Sequence, residues 1–231
     1  MSEFLSKKIT ILKEKKIPNP EIDLRVMLNN SKLKNKEIIF SDFKLEQINV
    51  KKFNSLFERR LLNEPISKII NKKSFWKDNF FVNHHVLDPR PETEGIIEES
   101  IRVFKNRKVK IKILDIGTGS GAIAISLARE FCDASIVAID ISKQALKVAK
   151  KNIIEKRLEN RIHLKNTTID LINEDFDLIV SNPPYISKNE LSNISREIKD
   201  FEPLIALDGG IDGLMFYRDF AINVPRLMKP N

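Results

Sequence analysis

Residues 111–121 restrict the possible folds of this chain more than any other stretch. Residues 111–116 have the apolar, β-branched character of a buried strand, and the glycine-rich loop of residues 117–121 follows at once. An amphipathic pattern then predicts a helix from Ala122 to about Glu130. A strand that leads through glycines into a helix is typical of open parallel sheets that bind a nucleotide-like ligand.

The same alternation continues after this stretch. Further strands are predicted at residues 135–140, 161–166 and 176–181, with a helix at residues 142–155. Strands that alternate with helices predict an α/β fold with a parallel, doubly wound sheet, whose ligands bind at the carboxyl ends of the strands. The glycine loop and the residues after Ser181 both follow such ends.

The glycine loop permits two kinds of cofactor. Gly117, Gly119 and Ala122 fit a loose dinucleotide pattern, and Asp140, about 20 residues further on, suits ribose hydroxyls. Asp115 favours the other kind, because a carboxylate just before the loop would repel a pyrophosphate but attract the cationic amino acid end of S-adenosylmethionine. The spacing of Asp115 and the glycines therefore predicts a methyl donor. The candidate cofactor-binding residues from this region are Asp115, Gly117, Thr118, Gly119, Ser120, Gly121 and Asp140.

An unusual polar stretch, Asn182-Pro183-Pro184-Tyr185, ends the last predicted strand. Proline fixes its own φ and keeps the preceding residue extended, so this stretch offers rigid carbonyl acceptors and few N–H donors. The side-chain oxygen of Asn182 adds an acceptor, and the Tyr185 ring adds a flat face for a planar group. A proline turn alone would explain Asn-Pro, but together with the glycine loop the stretch predicts a site that methylates an NH2 group. Asn182, Pro183 and Tyr185 are the candidate catalytic residues, and Asn182, Pro183, Pro184 and Tyr185 the candidate substrate-binding residues.

The first part of the chain has a different character. Apolar residues at helical spacing predict a helical bundle over residues 1–73, suited to substrate recognition, and residues 74–94 are predicted as a hairpin and linker with a turn at Lys77-Asp78-Asn79. Residues 95–231 then form the catalytic domain. The net charge is +8, of which residues 1–95 carry +6, from 19 Lys and Arg against 13 Asp and Glu. A basic surface permits a nucleic-acid or ribosomal partner, although heavy lysine usage alone would also produce it.

Several other features limit the class of protein. No apolar run approaches the roughly 18 residues of a membrane span, the first residues lack the apolar block of a signal peptide, and Cys132 is the single cysteine. These features predict a cytoplasmic protein without disulfides. The adjacent His84 and His85 have no partner at metal-ligand spacing, so no metal site is predicted.

At this point the residues resemble a known family, the PrmC/HemK protein-glutamine methyltransferases, which modify the Gly-Gly-Gln motif of class I peptide chain release factors. Nearly the whole chain takes part in this resemblance. Its motifs are Glu58-Arg59-Arg60, Glu64-Pro65, Asp88-Pro89-Arg90-Pro91-Glu92-Thr93-Glu94, the Asp115–Gly121 segment, Ser181–Ile186 and Phe201-Glu202-Pro203-Leu204. Asn-Pro-Pro-Tyr alone also occurs in methyltransferases that act on DNA adenine and on RNA.

The resemblance implies a class I S-adenosylmethionine-dependent methyltransferase, with a Rossmann-like doubly wound sheet after a small helical bundle. It implies that Gly117–Gly121 contacts the methionine part of the cofactor, that Asp140 binds its ribose, and that Asn182–Tyr185 holds the glutamine, with Asn182 also beside the cofactor. The implied partners are class I release factors, with methylation acting in translation termination, no direct nucleic-acid binding, no membrane, and a monomeric state.

The chain departs from the family in two places. Thr168-Ile169 stands where the family commonly has an acidic residue followed by a bulky apolar one near the adenine, so that Ile169 is expected to pack on the ring. The family also continues beyond Lys229-Pro230-Asn231 into further strands, so the sheet is expected to be C-terminally incomplete with an exposed apolar edge. Two other functions remain open from the residues alone: a methyltransferase for exocyclic amines of DNA or RNA, and a non-catalytic protein that docks on a translation factor.

Overall fold

The computed structural model describes residues 2–230 except for the side chain of Arg196; Met1 and Asn231, at the two termini considered above, lie outside the described residues. The chain divides into two compact units, of which the first ends at Asn71 and the second begins at Lys72. No helix within the described residues is both long and apolar enough to cross a membrane.

The first unit is helical, as its apolar spacing predicts. Its helices are α1 (Glu3–Glu14), α2 (Pro20–Ser31), α3 (Val50–Leu61) and the short α4 (Ile66–Ile70). Leu5, Leu24 and Phe53 are fully buried in its core. Beside this core, the buried Arg60 of α3 donates from Nε to Asp23 of α2 at 2.7 Å. The unit therefore has its own hydrophobic core and its own buried ion pair.

The second unit opens with a hairpin made of β1 (Lys73–Phe75) and β2 (Asp78–Phe80). The turn lies at Trp76 and Lys77, so the prediction of a turn at Lys77-Asp78-Asn79 was wrong. Trp76 takes a left-handed conformation with φ 53°, and its backbone N–H donates to the Glu94 carboxylate at 2.7 Å. Phe75 and Phe80 are buried in the main core, so the hairpin belongs to the second unit.

A parallel sheet forms the centre of the second unit and confirms the predicted α/β fold. Its strands are β3 (Lys112–Ile116), β4 (Ser135–Ile139), β5 (Ile162–Lys165) and β6 (Leu178–Ser181), in the order β5-β4-β3-β6. The helices that precede or connect these strands are α5 (Glu94–Val103), α6 (Ala122–Glu130) and α7 (Lys143–Glu155). Because the strands are parallel, the glycine loop after β3 and the Asn-Pro-Pro-Tyr stretch after β6 reach the same edge of the sheet.

Both faces of the sheet are buried. Ile113 and Ile136 point into one core with residues of α6, while Leu114 and Val137 point into another, as the two-residue period of a strand requires. The second face is covered by α10 (Met215–Leu227), which follows the short helices α8 (Lys188–Leu191) and α9 (Arg196–Phe201).

Strand β6 is hydrogen-bonded to β3 on one side and lies at an edge of the sheet. An isolated parallel bridge joins Phe176, just before β6, to Met228, just after α10. The Phe176 N–H donates to the Leu227 carbonyl at 2.8 Å, and the Lys229 N–H donates to the Phe176 carbonyl at 3.0 Å. The chain thus runs beside the start of the edge strand after α10.

Candidate active site

A large cavity opens at the carboxyl ends of β3, β4 and β6, where the sequence predicts ligand binding. Residues from the glycine loop, from the segment before α5 and from α10 form its walls. Its lining includes Val86, Leu87, Thr93, Gly117, Thr118, Gly119, Ser120, Ile139, Asp140, Ile141, Thr168, Ile169, Asn182, Pro183, Pro184, Phe216, Asp219 and Phe220. Most of the predicted cofactor-binding residues therefore meet in one place.

The glycine loop takes a backbone conformation that residues with a Cβ rarely adopt. Gly117 and Gly119 have φ of 70° and 56°. The N–H of Gly119 donates to Asp140 Oδ2 at 2.9 Å, which joins the loop to the end of β4. Loop and carboxylate therefore form one wall of the cavity.

Asp140 is held by two backbone donors, since its Oδ1 also accepts the N–H of Ser142 at 2.8 Å. Each carboxylate oxygen has a second lone pair, so Asp140 retains the capacity to accept two ribose hydroxyls. Burial raises the pKa of Asp140, while the N–H groups of Ser142 and Gly119 oppose that rise. These features fit the ribose of a nucleoside cofactor.

Asp115 lies beneath the glycine loop. Its side chain is fully buried and accepts the hydroxyl of Thr118 at 2.7 Å, whereas its Oδ1 has no hydrogen-bond partner among the described residues. Burial raises the pKa of Asp115 to about 7, and the Thr118 hydroxyl opposes this rise. Asp115 and Gly121 do not belong to the cavity lining, so Asp115 would act on a cationic cofactor through its charge and through Thr118 rather than by contact.

Ile169 lies in a single helical turn after β5 and is almost fully buried. Arg226 of α10 fixes this turn, because its guanidinium donates to the carbonyls of Ile169 at 2.9 Å, Asp170 at 2.9 Å and Ile172 at 2.6 Å. Thr168 and Ile169 both line the cavity. Ile169 therefore contributes an apolar side chain to the cavity wall, and the contacts of Arg226 with this turn were not apparent from the sequence.

Asn182 follows β6 directly. The preceding Ser181 donates its hydroxyl to the Ile116 carbonyl at 2.8 Å, which fixes the end of β6 against β3. The Asn182 side-chain NH2 donates to Thr93 Oγ1 at 3.0 Å. With its NH2 group engaged in this way, Asn182 has its carbonyl oxygen available as an acceptor.

A second cavity is also lined by Asn182. Its lining residues are Leu87, Arg90, Glu92, Thr93, Ile96, Asn182, Pro183, Tyr185, Ile186, Ile198, Ala206 and Leu207. Leu87, Thr93, Asn182, Pro183 and Ala206 line both cavities. Tyr185 has 59% of its surface exposed and belongs to the second cavity, whereas Pro184 belongs to the first.

The Pro-Arg-Pro segment of residues 88–94 is held in place by distant partners. Glu94 accepts the Trp76 N–H, and the side chain of Glu202, only 2% exposed, accepts Arg90 Nη2 at 3.2 Å and the Asp88 N–H at 3.3 Å. The Thr93 side chain makes no capping hydrogen bond to α5. The Thr93 hydroxyl therefore contacts Asn182 and does not cap α5.

The loop between Asp208 and Gly213 packs on the backbone of Tyr185. The Gly209 N–H donates to the Ile186 carbonyl at 2.9 Å, and a Cβ at Gly209 would lie 2.8 Å from Tyr185 Cα. A Cβ at Gly213 would overlap the Tyr185 carbonyl oxygen. Sequence reasoning missed this support, although the glycine-rich run Asp208-Gly209-Gly210 was a signal that could have been used.

Among the residues that the model describes, no three His, Cys, Asp or Glu side chains come together as ligands for a metal ion. The rings of His84 and His85 lie in contact, with centroids 3.9 Å apart and planes tilted by 51°. His85 lines the first cavity, and burial lowers its pKa, with His84 and Lys147 acting in the same direction.

Comparison with known proteins gives a consistent result. The model of the family described as "Methyltransferase small domain" matches residues 101–200. The chain is 39% identical to a release factor glutamine methyltransferase of Caulobacter vibrioides, over 95% of this chain and 77% of that protein. It is 33% identical to one of Clostridium acetobutylicum, over 100% of this chain and 82% of that protein. A bifunctional methyltransferase of Rickettsia felis is 37% identical, and the chain spans 50% of its length.

A solved structure shares the fold. The catalytic domain of hMettl16, determined in complex with a MAT2A 3'UTR hairpin, superposes with a TM-score of 0.53 at 16% identity, over 65% of this chain and 58% of that one. At this identity the likeness shows the fold alone, and it agrees with the sheet described above.

Proposed function

Because this chain belongs to the release factor glutamine methyltransferase family, we propose that it methylates the side-chain amide nitrogen of the glutamine in a release factor's Gly-Gly-Gln motif. S-adenosylmethionine is the methyl donor that the methyltransferase fold implies. The resemblance to the PrmC/HemK family is thereby confirmed.

One observation supports this function most directly. The two cavities meet at Asn182 and Pro183, so a donor in the first cavity and an amide in the second would face each other across these residues. In this proposal the cofactor's ribose binds Asp140, its methionine part lies along Gly117–Ser120, and its adenine packs on Ile169. The glutamine side chain enters the second cavity beside Tyr185.

When bound, S-adenosylmethionine supplies an electrophilic methyl group on a sulfonium sulfur. An amide nitrogen is a weak nucleophile, because its lone pair is delocalised into the carbonyl, so the site has to orient it. Asn182 Oδ1 and the Pro183 carbonyl accept the two amide hydrogens and thereby direct the lone pair of the nitrogen towards the first cavity. Such orientation contributes several kcal/mol in favourable cases, about 7–11 kcal/mol in model reactions.

The same two acceptors favour the positive charge that develops on the nitrogen as the N–CH3 bond forms. A bound donor would supply the methyl group and keep the electron pair of its S–CH3 bond, and the methylated nitrogen would release one proton to water. No general base is required, because the nitrogen becomes strongly acidic once it is methylated. Within this proposal no metal takes part, so a chelator should leave the rate unchanged.

The finer assignments also belong to the proposal. The unit that ends at Asn71 recognises the release factor, the second unit carries the chemistry, and the protein acts as a cytoplasmic monomer without direct contact to nucleic acid. The predicted site residues receive the roles given above, except that Asp115 acts from beneath the loop.

The test is to incubate the purified protein with methyl-labelled S-adenosylmethionine and, in separate reactions, with a class I release factor, with DNA and with RNA. We expect label on the release factor at the Gly-Gly-Gln glutamine, located by mass spectrometry of a digest. Label on nucleic acid instead would support the exocyclic-amine alternative, and label on neither would support a non-catalytic role.

Two controls make the result specific. A release factor whose Gly-Gly-Gln glutamine is replaced by alanine should accept no label. The enzyme variant Asn182→Ala should bind cofactor almost normally, but lose transfer by about 100-fold or more. Near-normal turnover by Asn182→Ala would contradict the role given to Asn182.

A further inference from the structure

Thr93 and Asn182 come from segments that are 89 residues apart in sequence, yet their side chains are joined by a 3.0 Å hydrogen bond at the boundary between the two cavities. Thr93 is only 9% exposed, and its side chain makes no capping bond to its own helix. Its hydroxyl is thus directed at Asn182 instead of supporting the start of α5.

The segment that carries Thr93 is fixed on both sides. The backbone N–H of Thr93 donates to the Arg90 carbonyl at 3.0 Å, and Arg90 is itself bound by the buried carboxylate of Glu202. The next residue, Glu94, accepts the backbone N–H of Trp76 at 2.7 Å. The segment around Thr93 is therefore held by contacts other than its hydrogen bond to Asn182.

An asparagine amide has two different ends, a carbonyl oxygen that accepts and an NH2 group that donates. In the structure the NH2 end faces Thr93, which leaves the carbonyl oxygen for a substrate. In the reverse orientation the NH2 end would face the hydrogens of an incoming amide, and two donors cannot pair. The reaction therefore depends on which end of Asn182 faces the second cavity.

We propose that Thr93 is a positioning residue, which holds the Asn182 amide with its oxygen towards the substrate. This inference rests on the proposed function, because the orientation of the Asn182 amide affects the reaction only if the substrate presents an NH2 group. Thr93 itself need not touch the glutamine; it acts through Asn182. It also gives a chemical reason for a threonine within the Pro-Arg-Pro-Glu-Thr-Glu segment.

The first variant to test is Thr93→Val, which replaces the hydroxyl by a methyl group of similar size. With no acceptor for its NH2 end, Asn182 is expected to populate the reversed orientation. We expect kcat on a release factor to fall by about 10- to 100-fold, the loss typical of a misplaced reacting group. The Kd for S-adenosylmethionine and the KM for the release factor should change by less than about threefold, because in the proposed function the cofactor is held by other residues of the first cavity and the release factor is held mainly by the first unit.

Matched variants separate positioning from packing. Thr93→Ser keeps the hydroxyl and should retain kcat within about threefold. Ser100→Ala removes another buried hydroxyl, from α5, the helix that follows Thr93; this hydroxyl donates to the Ile96 carbonyl at 2.7 Å, and the variant should behave as wild type. If Thr93→Ser is as impaired as Thr93→Val, or if Thr93→Val is fully active, the inference is wrong.

A carboxylate in place of the amide provides a further test, because both of its ends are acceptors. In an Asn182→Asp background, Thr93→Val should therefore reduce kcat much less than it does in the wild-type background. An equal loss in both backgrounds would indicate a general packing role for Thr93 and would overturn the inference.

The hydrogen bond can also be observed without any substrate. The side-chain NH2 resonances of Asn182, assigned by their absence in Asn182→Ala, should shift in Thr93→Val and remain in place in Ser100→Ala. Unchanged resonances in Thr93→Val would show that the contact is absent in solution. This readout stays valid even if the wild-type protein fails to methylate a release factor, so the two proposals can fail separately.

Discussion

Asp115 is the residue whose burial has the clearest consequence for stability. Its pKa is raised by burial to about 7, while an unfolded aspartate has a pKa near 3.8. Between these values the folded protein binds more protons than the unfolded one, so the free energy of unfolding falls as the pH rises. The expected slope is at most about 1.4 kcal/mol per pH unit, and the loss is complete above the folded pKa.

We therefore predict that Asp115→Asn removes this part of the pH dependence. Urea unfolding of wild type and variant at about pH 5.5 and about pH 7.5 measures the difference, and the variant should be relatively more stable at the higher pH. Both proteins contain the same histidines, including His85, so the contribution of histidine titration cancels in the difference between them. A constant difference between the two proteins across this pH range would contradict the raised pKa.

Asp140 leads to a prediction about the cofactor. Its carboxylate is held by the N–H groups of Gly119 and Ser142 and faces the first cavity. Asp140→Ala should weaken S-adenosylmethionine binding by about 10- to 100-fold, because hydrogen bonds from ribose hydroxyls to a charged acceptor are lost. Isothermal titration calorimetry measures this, with the exposed Asp133→Ala as a control. Unchanged cofactor affinity in Asp140→Ala would exclude the ribose role.

At the level of elements, the loop that supports Tyr185 depends on Gly213. This glycine has φ 79°, and a Cβ there would overlap the carbonyl oxygen of Tyr185. Gly213→Ala should displace Tyr185 and the adjoining wall of the second cavity. We predict a fall in kcat/KM on a release factor of about 10-fold or more, with cofactor affinity unchanged, because the first cavity is built from other segments.

Gly95 provides the matched control for this substitution. It lies in the first turn of α5, and a Cβ at this position would have no atom within 4 Å. Gly95→Ala should leave activity unchanged and raise the free energy of unfolding by up to about 1 kcal/mol. Equal activity of the two alanine variants would show that the Tyr185 backbone does not need the Gly213 contact.

The elements that the sequence predicts well are those whose signals are local. The glycine loop, the strands around it and the Asn-Pro-Pro-Tyr stretch can each be recognised from a few consecutive residues. Parallel pairing of the strands then brings their carboxyl ends together. The contacts of Thr93 with Asn182 and of Arg90 with Glu202 join residues 89 and 112 positions apart. Hydrophobic periodicity and local motifs carry no information on such distant pairs, so neither contact could be predicted from the sequence.

The hairpin turn also depends on contacts with residues that are distant in sequence. Local turn preference favours Lys77-Asp78-Asn79, whereas the Glu94 carboxylate holds the backbone of Trp76, and Trp76 Nε1 donates to Glu130 at 2.7 Å. These tertiary contacts stabilise a left-handed tryptophan that propensity alone would reject. The role of Asp115 stays a prediction, because its spacing places it at the end of a strand before the glycine loop but does not determine whether its side chain lines the cavity.

At the scale of the whole molecule, both cavities are built from the second unit alone. The lining of the first cavity begins at Phe75 and ends at Phe220, and that of the second begins at Leu87 and ends at Leu207. The first unit ends at Asn71 and has a separate hydrophobic core. Among its described residues none lines either cavity, which is consistent with the proposed role in recognising the release factor.

This separation predicts different effects on large and small substrates. A variant that begins at Lys72 should methylate a short Gly-Gly-Gln peptide with a kcat/KM within about threefold of the intact chain, because the chemistry needs only the second unit. On an intact release factor its KM should rise by about 10-fold or more while kcat changes little, since the lost interactions stabilise ground state and transition state alike. Steady-state kinetics on both substrates, after cofactor titration has verified folding, provide the measurement. An equal loss of kcat/KM on the peptide and on the release factor would instead indicate that the first unit contributes to catalysis. No loss on either substrate would show that the first unit does not take part in recognition.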